Sequence, residues 1–312
     1  MGESLIVVLA GGVGAARFLE GLIHVVPQSQ ITIIGNIADD AEIYGLHVSP
    51  DLDIVAYTLA GLVDSVKGWG FRGDTFHCQS LLTKYGYETW FNIGDRDLAT
   101  HIYRTEQLSK GRTLSQVTAE IVHRLGLRVK LLPSSDDSLQ THIVHKDGSM
   151  HFQEYMVKRK TRTRVYGVTF RGVKTARPAK HVVESIESAT GVIIAPSNPV
   201  VSIGAILAVR GIRRALRRTK ARTVAISPII GGKTVKGPAD KLMKAIGVAP
   251  SAAGVGEFYR DFLDTLILDR VDINLAGYVE AMGIKAVVTN TLMKTLADKV
   301  RLAKLAVSEL KK

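Results

Sequence analysis

The feature that most constrains this chain is its opening. An apolar run, Leu5 to Ala10 (LIVVLA), passes directly into Gly11-Gly12-Val13-Gly14-Ala15-Ala16-Arg17, then into an amphipathic FLEGLIHVV and a second apolar run, ITIIGN. Strand, glycine loop, helix and strand in that order form one βαβ unit, whose strands run parallel. The alternation returns later, in GVIIAP at 191–196, TVAISP at 223–228, DTLILD at 264–269 and IKAVVTN at 284–290. Short apolar runs ending in polar loops are what a parallel sheet covered on both faces requires. An α/β fold of the Rossmann-like, three-layer class is therefore expected.

Between Asp51 and about Leu127 the pattern changes to amphipathic helices. Starts are expected at Pro50-Asp51, at Gly73-Asp74 and after Lys110, where Thr113 and Gln116 have capping-box spacing. Residues 128–170 then alternate apolar and polar, in RVKLLP, THIVHKDGSMHFQEYMV and RVYGVTF, with Asp147-Gly148 as a hairpin turn. The expected organisation is a single Rossmann-like domain over 1–312, with a helical and partly antiparallel insertion at about 51–175 that follows the second strand.

Composition narrows the class. An apolar content of 46% over 312 residues sustains a sizeable core. No apolar run is long enough to span a membrane, and the N-terminus enters its strand without a basic leader, so a cytoplasmic protein with no membrane partner is expected. The single cysteine, Cys78, excludes an intrachain disulfide and cysteine-rich metal sites, and a buried, inert thiol is expected. The net charge of +12 suits nucleic acid or anionic small molecules alike. Its densest tracts, KRKTRTR at 158–164 and RGIRRALRRTKAR at 210–222, lack interleaved aromatic residues, so solvated basic faces and no nucleic-acid partner are expected.

Several constellations carry chemistry. Gly11, Gly12 and Gly14 lie where a strand meets a helix N-terminus, with Arg17 on the first turn; the group is either a phosphate cradle or simply a tight turn. It is neither a Walker A loop nor a G-x-G-x-x-G. Asp39 and Asp40 follow the second strand, and Asp51 and Asp53 sit in the next loop; these carboxylates either cap helices or hold magnesium against a diphosphate. In Asn92-Ile93-Gly94-Asp95-Arg96-Asp97, Arg96 is either a local ion-pair partner in a capped helix or a cation held by Asp95 or Asp97 for a phosphate, with His101 one turn on. Ser197, Asn198 and Ser202 follow one late strand, and Ser227, Gly231, Lys233 and Lys236 another, where an open α/β sheet exposes its binding crevice. Ser134 to Asp137 and His151 to Glu154 are turn and strand residues or further lining of the same cleft.

In order and across nearly the whole chain, GGVGAARFL, SPDLD at 49–53, GWGFRGDTFH at 68–77, GDRDLATH at 94–101, LLPSSDD at 131–137, HFQE at 151–154, APSNPVVSIGAIL at 195–207 and SPIIGGKTVKGPADKLM at 227–243 resemble the 2-phospho-L-lactate transferase family. The resemblance implies transfer of a 2-phospho-L-lactyl group from lactyl-2-diphospho-5′-guanosine to a deazaflavin hydroxyl, giving the coenzyme F420 core and GMP, in a magnesium-dependent homodimer. A phosphoenolpyruvyl donor, or a nucleotide-binding regulatory protein of the same fold, are the alternatives. By position, the Gly11 loop and the loops at 197–204 and 227–237 hold the guanosine diphosphate. Asp51 with Asp39 or Asp40 holds magnesium, and Asp53 and Asn92 lie by the deazaflavin. Catalytic roles are expected for Asp51, Asp53 and Arg96, with Asp53 orienting or deprotonating the hydroxyl, and substrate contacts from Asp95 as well.

Overall fold

A computed structural model describes residues 5–64 and 68–311. Its frame is a seven-stranded parallel sheet built from β1 (Ile6–Ala10), β2 (Ile31–Gly35), β3 (Lys130–Pro133), β4 (Gly191–Ile194), β5 (Arg222–Ile226), β6 (Thr265–Asp269) and β7 (Lys285–Thr289), in the order β7-β6-β5-β4-β1-β2-β3. Every residue of β1, β2, β4 and β6 is buried, so both faces of the sheet are covered. The expected α/β class holds. The order reverses beside β1, between β4 and β2, and a crevice opens at the carboxyl ends of the strands at such a switch point.

One expectation is corrected at the sheet edge. Lys130–Pro133, read as part of the antiparallel insertion, pairs parallel with β2, in register from Thr32↔Lys130 to Gly35↔Pro133. Four residues with one exposed end do not distinguish an edge strand of a parallel sheet from a hairpin arm by periodicity. The antiparallel part is a separate three-stranded sheet of Gln140–His145, Gly148–His151 and Gly167–Arg171, whose first two strands turn where Asp147-Gly148 predicts.

Helix α1 (Gly12–Leu22) buries Ala15, Phe18, Leu19 and Leu22. It crosses the C-terminal helix, Leu296–Glu309, so closely that a Cβ at Gly21 would strike the backbone of Lys299. Helix α2 (Pro50–Leu59) is buried from Asp51 to Tyr57. Helix α3 (His77–Lys84) starts later than Gly73-Asp74, because its first N–H groups are capped from another helix: the Asp95 carboxylate accepts from His77 N at 3.0 Å and Cys78 N at 3.0 Å. The arrangement is reciprocal. Helix α4 (Asp95–Ser109) is capped by Asp74, which accepts from Arg96 N at 2.8 Å and Asp97 N at 3.3 Å. Helix α5 (Leu114–Arg124) carries the predicted capping box of Thr113 and Gln116.

Cys78 corrects another expectation: it is exposed at the start of α3. The basic tracts are partly neutralised, since Lys158 pairs with Glu88, Arg159 with Glu154, and Arg213 with Asp261. No helix among the described residues is long and apolar enough to cross a membrane.

Candidate functional site

A cavity of about 700 Å³ lies over the carboxyl ends of the strands. The loops after β1, β2, β4, β5 and β7 form one wall, and α2, α4, Trp69, Phe91 and Phe152 form the other. Its size suits a small-molecule ligand.

The glycine loop earns its composition by close packing as much as by ligand approach. Gly12 has φ +74, which favours glycine. A Cβ at Gly14 would strike the carbonyl of Pro196, and one at Gly11 would come within 2.6 Å of Asp51 Oδ2 and 2.7 Å of Ser202 Cβ. Gly11 N donates to Ser197 Oγ at 3.1 Å. The loops after β1 and β4 thus clasp one another at the cavity floor, and the helix N-terminus offers an N–H from Gly12 to Asp51. Arg17 lies one turn into α1 and lines the cavity. It converges with Lys236 above Gly68, where a Cβ would lie 3.3 Å from Lys236 Nζ and 3.8 Å from Arg17 Nη2. Burial, and then the Arg17 charge, lower the pKa of the Lys236 ammonium. Two cations brought this close favour an anion between them.

Facing them are carboxylates with little water. Neither Asp51 nor Asp53 is the N-cap of α2; that position is Ser49, and both aspartates lie in the buried first turn. Asn36 is fully buried and donates to Asp51 Oδ2 at 2.9 Å, while its own Oδ1 accepts from Ala38 N. Burial is the main cause that pushes the Asp51 carboxyl up to about 6, against the hydrogen bonds of Asn36 and Gly12 and with the charge of Asp40. Asp39 is pushed well above the usual range by burial and by the charges of Asp51 and Asp40. Its Oδ1 finds no hydrogen-bond partner among the described residues. Asp40 is turned to His47 Nε2 at 3.0 Å and to the Ser49 hydroxyl at 2.7 Å, and does not line the cavity.

Among the described residues no three His, Cys, Asp or Glu side chains converge as a complete ligand set. The pair Asp39 and Asp51 nevertheless suits a magnesium ion, which typically takes one or two carboxylates and leaves its other positions to water and phosphate oxygens. Two carboxylates held together without solvent also lower their mutual repulsion by sharing a cation.

The sequence did not disclose the buried ion pair behind this floor. Arg104, 1% exposed, reaches back from α4 and holds both oxygens of Asp53, through Nη1 to Oδ2 at 3.0 Å and through Nη2 to Oδ1. Burial works against the Arg104 charge, but the charge and hydrogen bonding of Asp53 outweigh it, so its pKa is raised. His101, also 1% exposed, places Nδ1 3.3 Å from Arg104 Nη1 and Nε2 3.3 Å from Asp97 Oδ1, which accepts the Tyr57 hydroxyl at 2.9 Å. A signal for this face exists: Asp97, His101 and Arg104 are spaced four and three apart in a helix with few apolar residues.

The other expected residues divide. Asn92, Ser197, Asn198, Ser202 and Ser227 line the cavity. Asn92 Oδ1 is held by Gln79 at 3.1 Å, Asn198 accepts from Val200 N and Val201 N, and the Ser227 hydroxyl closes on its own loop at Ile229. Gly231, Asp95 and Arg96 stand outside the lining. Gly231 and Gly232, at φ +57 and +76, turn a tight hairpin, and Gly231 N donates to buried Asp272. Asp95 caps α3, and Arg96 donates to the Arg72 carbonyl at 3.0 Å rather than pairing with Asp95 or Asp97. Phe152 and Gln153 of HFQE line the cavity; Ser134 to Asp137 do not, and Asp136 accepts from Ser115 at the start of α5.

Among known proteins, the model of the family described as 2-phospho-L-lactate transferase CofD matches residues 6–304. The chain is 46% identical to a phosphoenolpyruvate transferase of Streptomyces griseus over 90% of each chain. It is 40% identical to a 2-phospho-L-lactate transferase of Methanocaldococcus jannaschii over 96% of each. A crystal structure from Bacillus halodurans, of the upf0052 family, superposes with a TM-score of 0.68 over 98% of this chain and 99% of that one at 17% identity, which bears on the fold alone. With a match running from the first strand into the last helix, the chain belongs to the 2-phospho-L-lactate transferase family and is a transferase.

Proposed function

We propose that the protein moves a 2-phospho-L-lactyl group from lactyl-2-diphospho-5′-guanosine to the ribityl hydroxyl of a deazaflavin, releasing GMP in the synthesis of coenzyme F420. The observation that carries this reading is the pairing of Arg17 and Lys236 across one cavity with the buried Asp39 and Asp51. A diphosphate between them meets cations on one side and a metal-binding pair on the other. The loops at 196–202 and 227–237 suit the guanosine end, and Trp69, Phe91 and Phe152 suit a planar acceptor.

In this reading the acceptor oxygen attacks the lactyl-bearing phosphorus in line, the bond from that phosphorus to the GMP oxygen breaks, and the electron pair leaves with GMP. Arg17 and Lys236 hold the diphosphate and its developing charge. Asp39 and Asp51, positioned by Asn36 and the Gly12 N–H, would hold magnesium, which supplies charge neutralisation at phosphorus. A cytoplasmic homodimer is the proposed setting.

A second reading, the phosphoenolpyruvyl donor, is favoured by the 43–46% identity to proteins named phosphoenolpyruvate transferase, against 38–40% for those named 2-phospho-L-lactate transferase. The test is incubation with magnesium, the deazaflavin precursor and each donor separately, following GMP release and the mass of the deazaflavin. Product from the phospholactyl donor is expected. Product from the phosphoenolpyruvyl donor alone selects the second reading, and product from neither, with guanine nucleotide still bound, returns the chain to a regulatory binding role.

A further inference from the structure

We propose that Asp97, rather than Asp53, takes the proton from the acceptor hydroxyl, with Tyr57 and His101 as positioning residues and the Asp53–Arg104 pair as a fixed strut behind them. This rests on the transfer reading above, and it follows from how the buried groups are bonded.

Asp53 is the obvious base from sequence, but both of its oxygens are taken by Arg104. Protonating it would strand a guanidinium that is 1% exposed. Such a change removes the principal partner of a buried charge, so the Asp53–Arg104 pair serves as a fixed strut. Asp97 is bonded differently. The Tyr57 hydroxyl donates to Oδ1 at 2.9 Å, and among the described residues no donor reaches Oδ2. Its side chain is 16% exposed against 7% for Asp53, and it lines the same cavity as Asn92 and Phe91.

The neighbours fix its orientation. Arginine only donates, so His101 Nδ1, 3.3 Å from Arg104 Nη1, is the acceptor there, while Nε2 lies 3.3 Å from Asp97 Oδ1 without a hydrogen bond among the described residues. Burial, together with the charges of Asp53 and Asp97, raises the Tyr57 phenol well above its usual range, so it remains a donor at working pH. The groups that face Asp97 are therefore Tyr57 of α2, His101 of its own helix, the Asp74 carboxylate at its backbone N–H, and the Asp53–Arg104 pair one layer behind. In the step, the hydroxyl proton passes to Asp97 Oδ2 as the oxygen–phosphorus bond forms and the bond to GMP breaks.

Single-turnover rates, acceptor binding by deazaflavin fluorescence and pH–rate profiles would be measured for the full chain and for Asp97→Asn, Asp53→Asn and Tyr57→Phe. Asp97→Asn should lower the rate at saturating substrates roughly 100-fold or more with little change in acceptor affinity, as loss of a general base does. The acidic limb of its profile should disappear. Tyr57→Phe removes a donor to the carboxylate, so its acidic limb should move to higher pH. Asp97→Asn within about threefold of the wild-type rate, or slowed with its acidic limb intact, overturns the proposal. If Asp97→Asn does not fold, an unmoved limb in Tyr57→Phe overturns it alone. A wild-type chain that forms product from neither donor overturns the transfer reading, and the proposal with it; wild-type product beside a near-normal Asp97→Asn overturns only the proposal.

Discussion

The two walls of the cavity are built by opposite means. Apart from Arg17, Asp39 and the lysines, the sheet-derived wall is glycine, proline and short polar side chains, and some of its polar atoms are spent nearby: Asn198 caps the next two or three residues, and Ser227 closes on Ile229. The insertion-derived wall is built from buried charges and a phenol that meet across long separations, Asp53 with Arg104 and Tyr57 with Asp97. One wall is held by shape and local bonding, the other by buried electrostatics. The first should therefore be sensitive to added volume and the second to the loss of a single charge.

The strongest test of that contrast is Arg104→Met, which leaves Asp53 buried without its counter-ion. A loss of about 3–5 kcal/mol is expected, read as a lower melting temperature or insoluble protein. The double variant Asp53→Leu/Arg104→Met should be more stable than Arg104→Met alone; equal loss in both would mean that packing, not charge, holds this wall. On the other side, Gly14→Ala adds one methyl group against the Pro196 carbonyl and should cost about 1–3 kcal/mol. A chain that tolerates it with unchanged denaturant midpoint would show that the sheet wall yields.

The walls meet at Asp39 and Asp51, and there pH separates their contributions. With its folded pKa raised to about 6, Asp51 binds its proton more tightly in the folded chain than in the unfolded one. Stability from this group is thus greatest below its unfolded pKa and declines as pH rises to about 6. Metal-free protein should gain roughly 2–4 °C in melting temperature between pH 7 and 5, relative to Asp51→Asn. If Asp51 is a magnesium ligand, magnesium should stabilise the wild type at pH 7.5 and much less at pH 5, and no difference between the two proteins would rule Asp51 out as a ligand. The smallest effect is expected for Asn198→Ala, about 1 kcal/mol for two lost backbone caps, measured by equilibrium denaturation.

This contrast also explains what could be read in the sequence. Strands, the glycine loop and the Thr113 capping box are local signals, and they stand where expected. Lys130–Pro133 was misassigned because an edge strand's partner is chosen by the sheet, not by its own four residues. In GDRD the choice between capping and phosphate binding turned on Asp74, twenty-two residues before Arg96, whose carboxylate no local pattern brings to α4. Asp53 is expected from the sequence to orient or deprotonate the hydroxyl, and its bond to Arg104 could not be read there because that partner lies fifty-one residues away. Nothing local marks Arg104 as buried, since arginine on a helix of low apolar content ordinarily faces water.

The lone exposed thiol has a practical consequence. Cys78 offers one covalent handle on α3, whose Gln79 side chain steadies the Asn92 loop, so a dye placed there reports on that part of the cavity from a single known position. The same exposure allows two chains to be joined by air oxidation during handling. A band of twice the monomer mass would then be a product of storage, and reductant must be present before any such species is counted as the enzyme's own assembly.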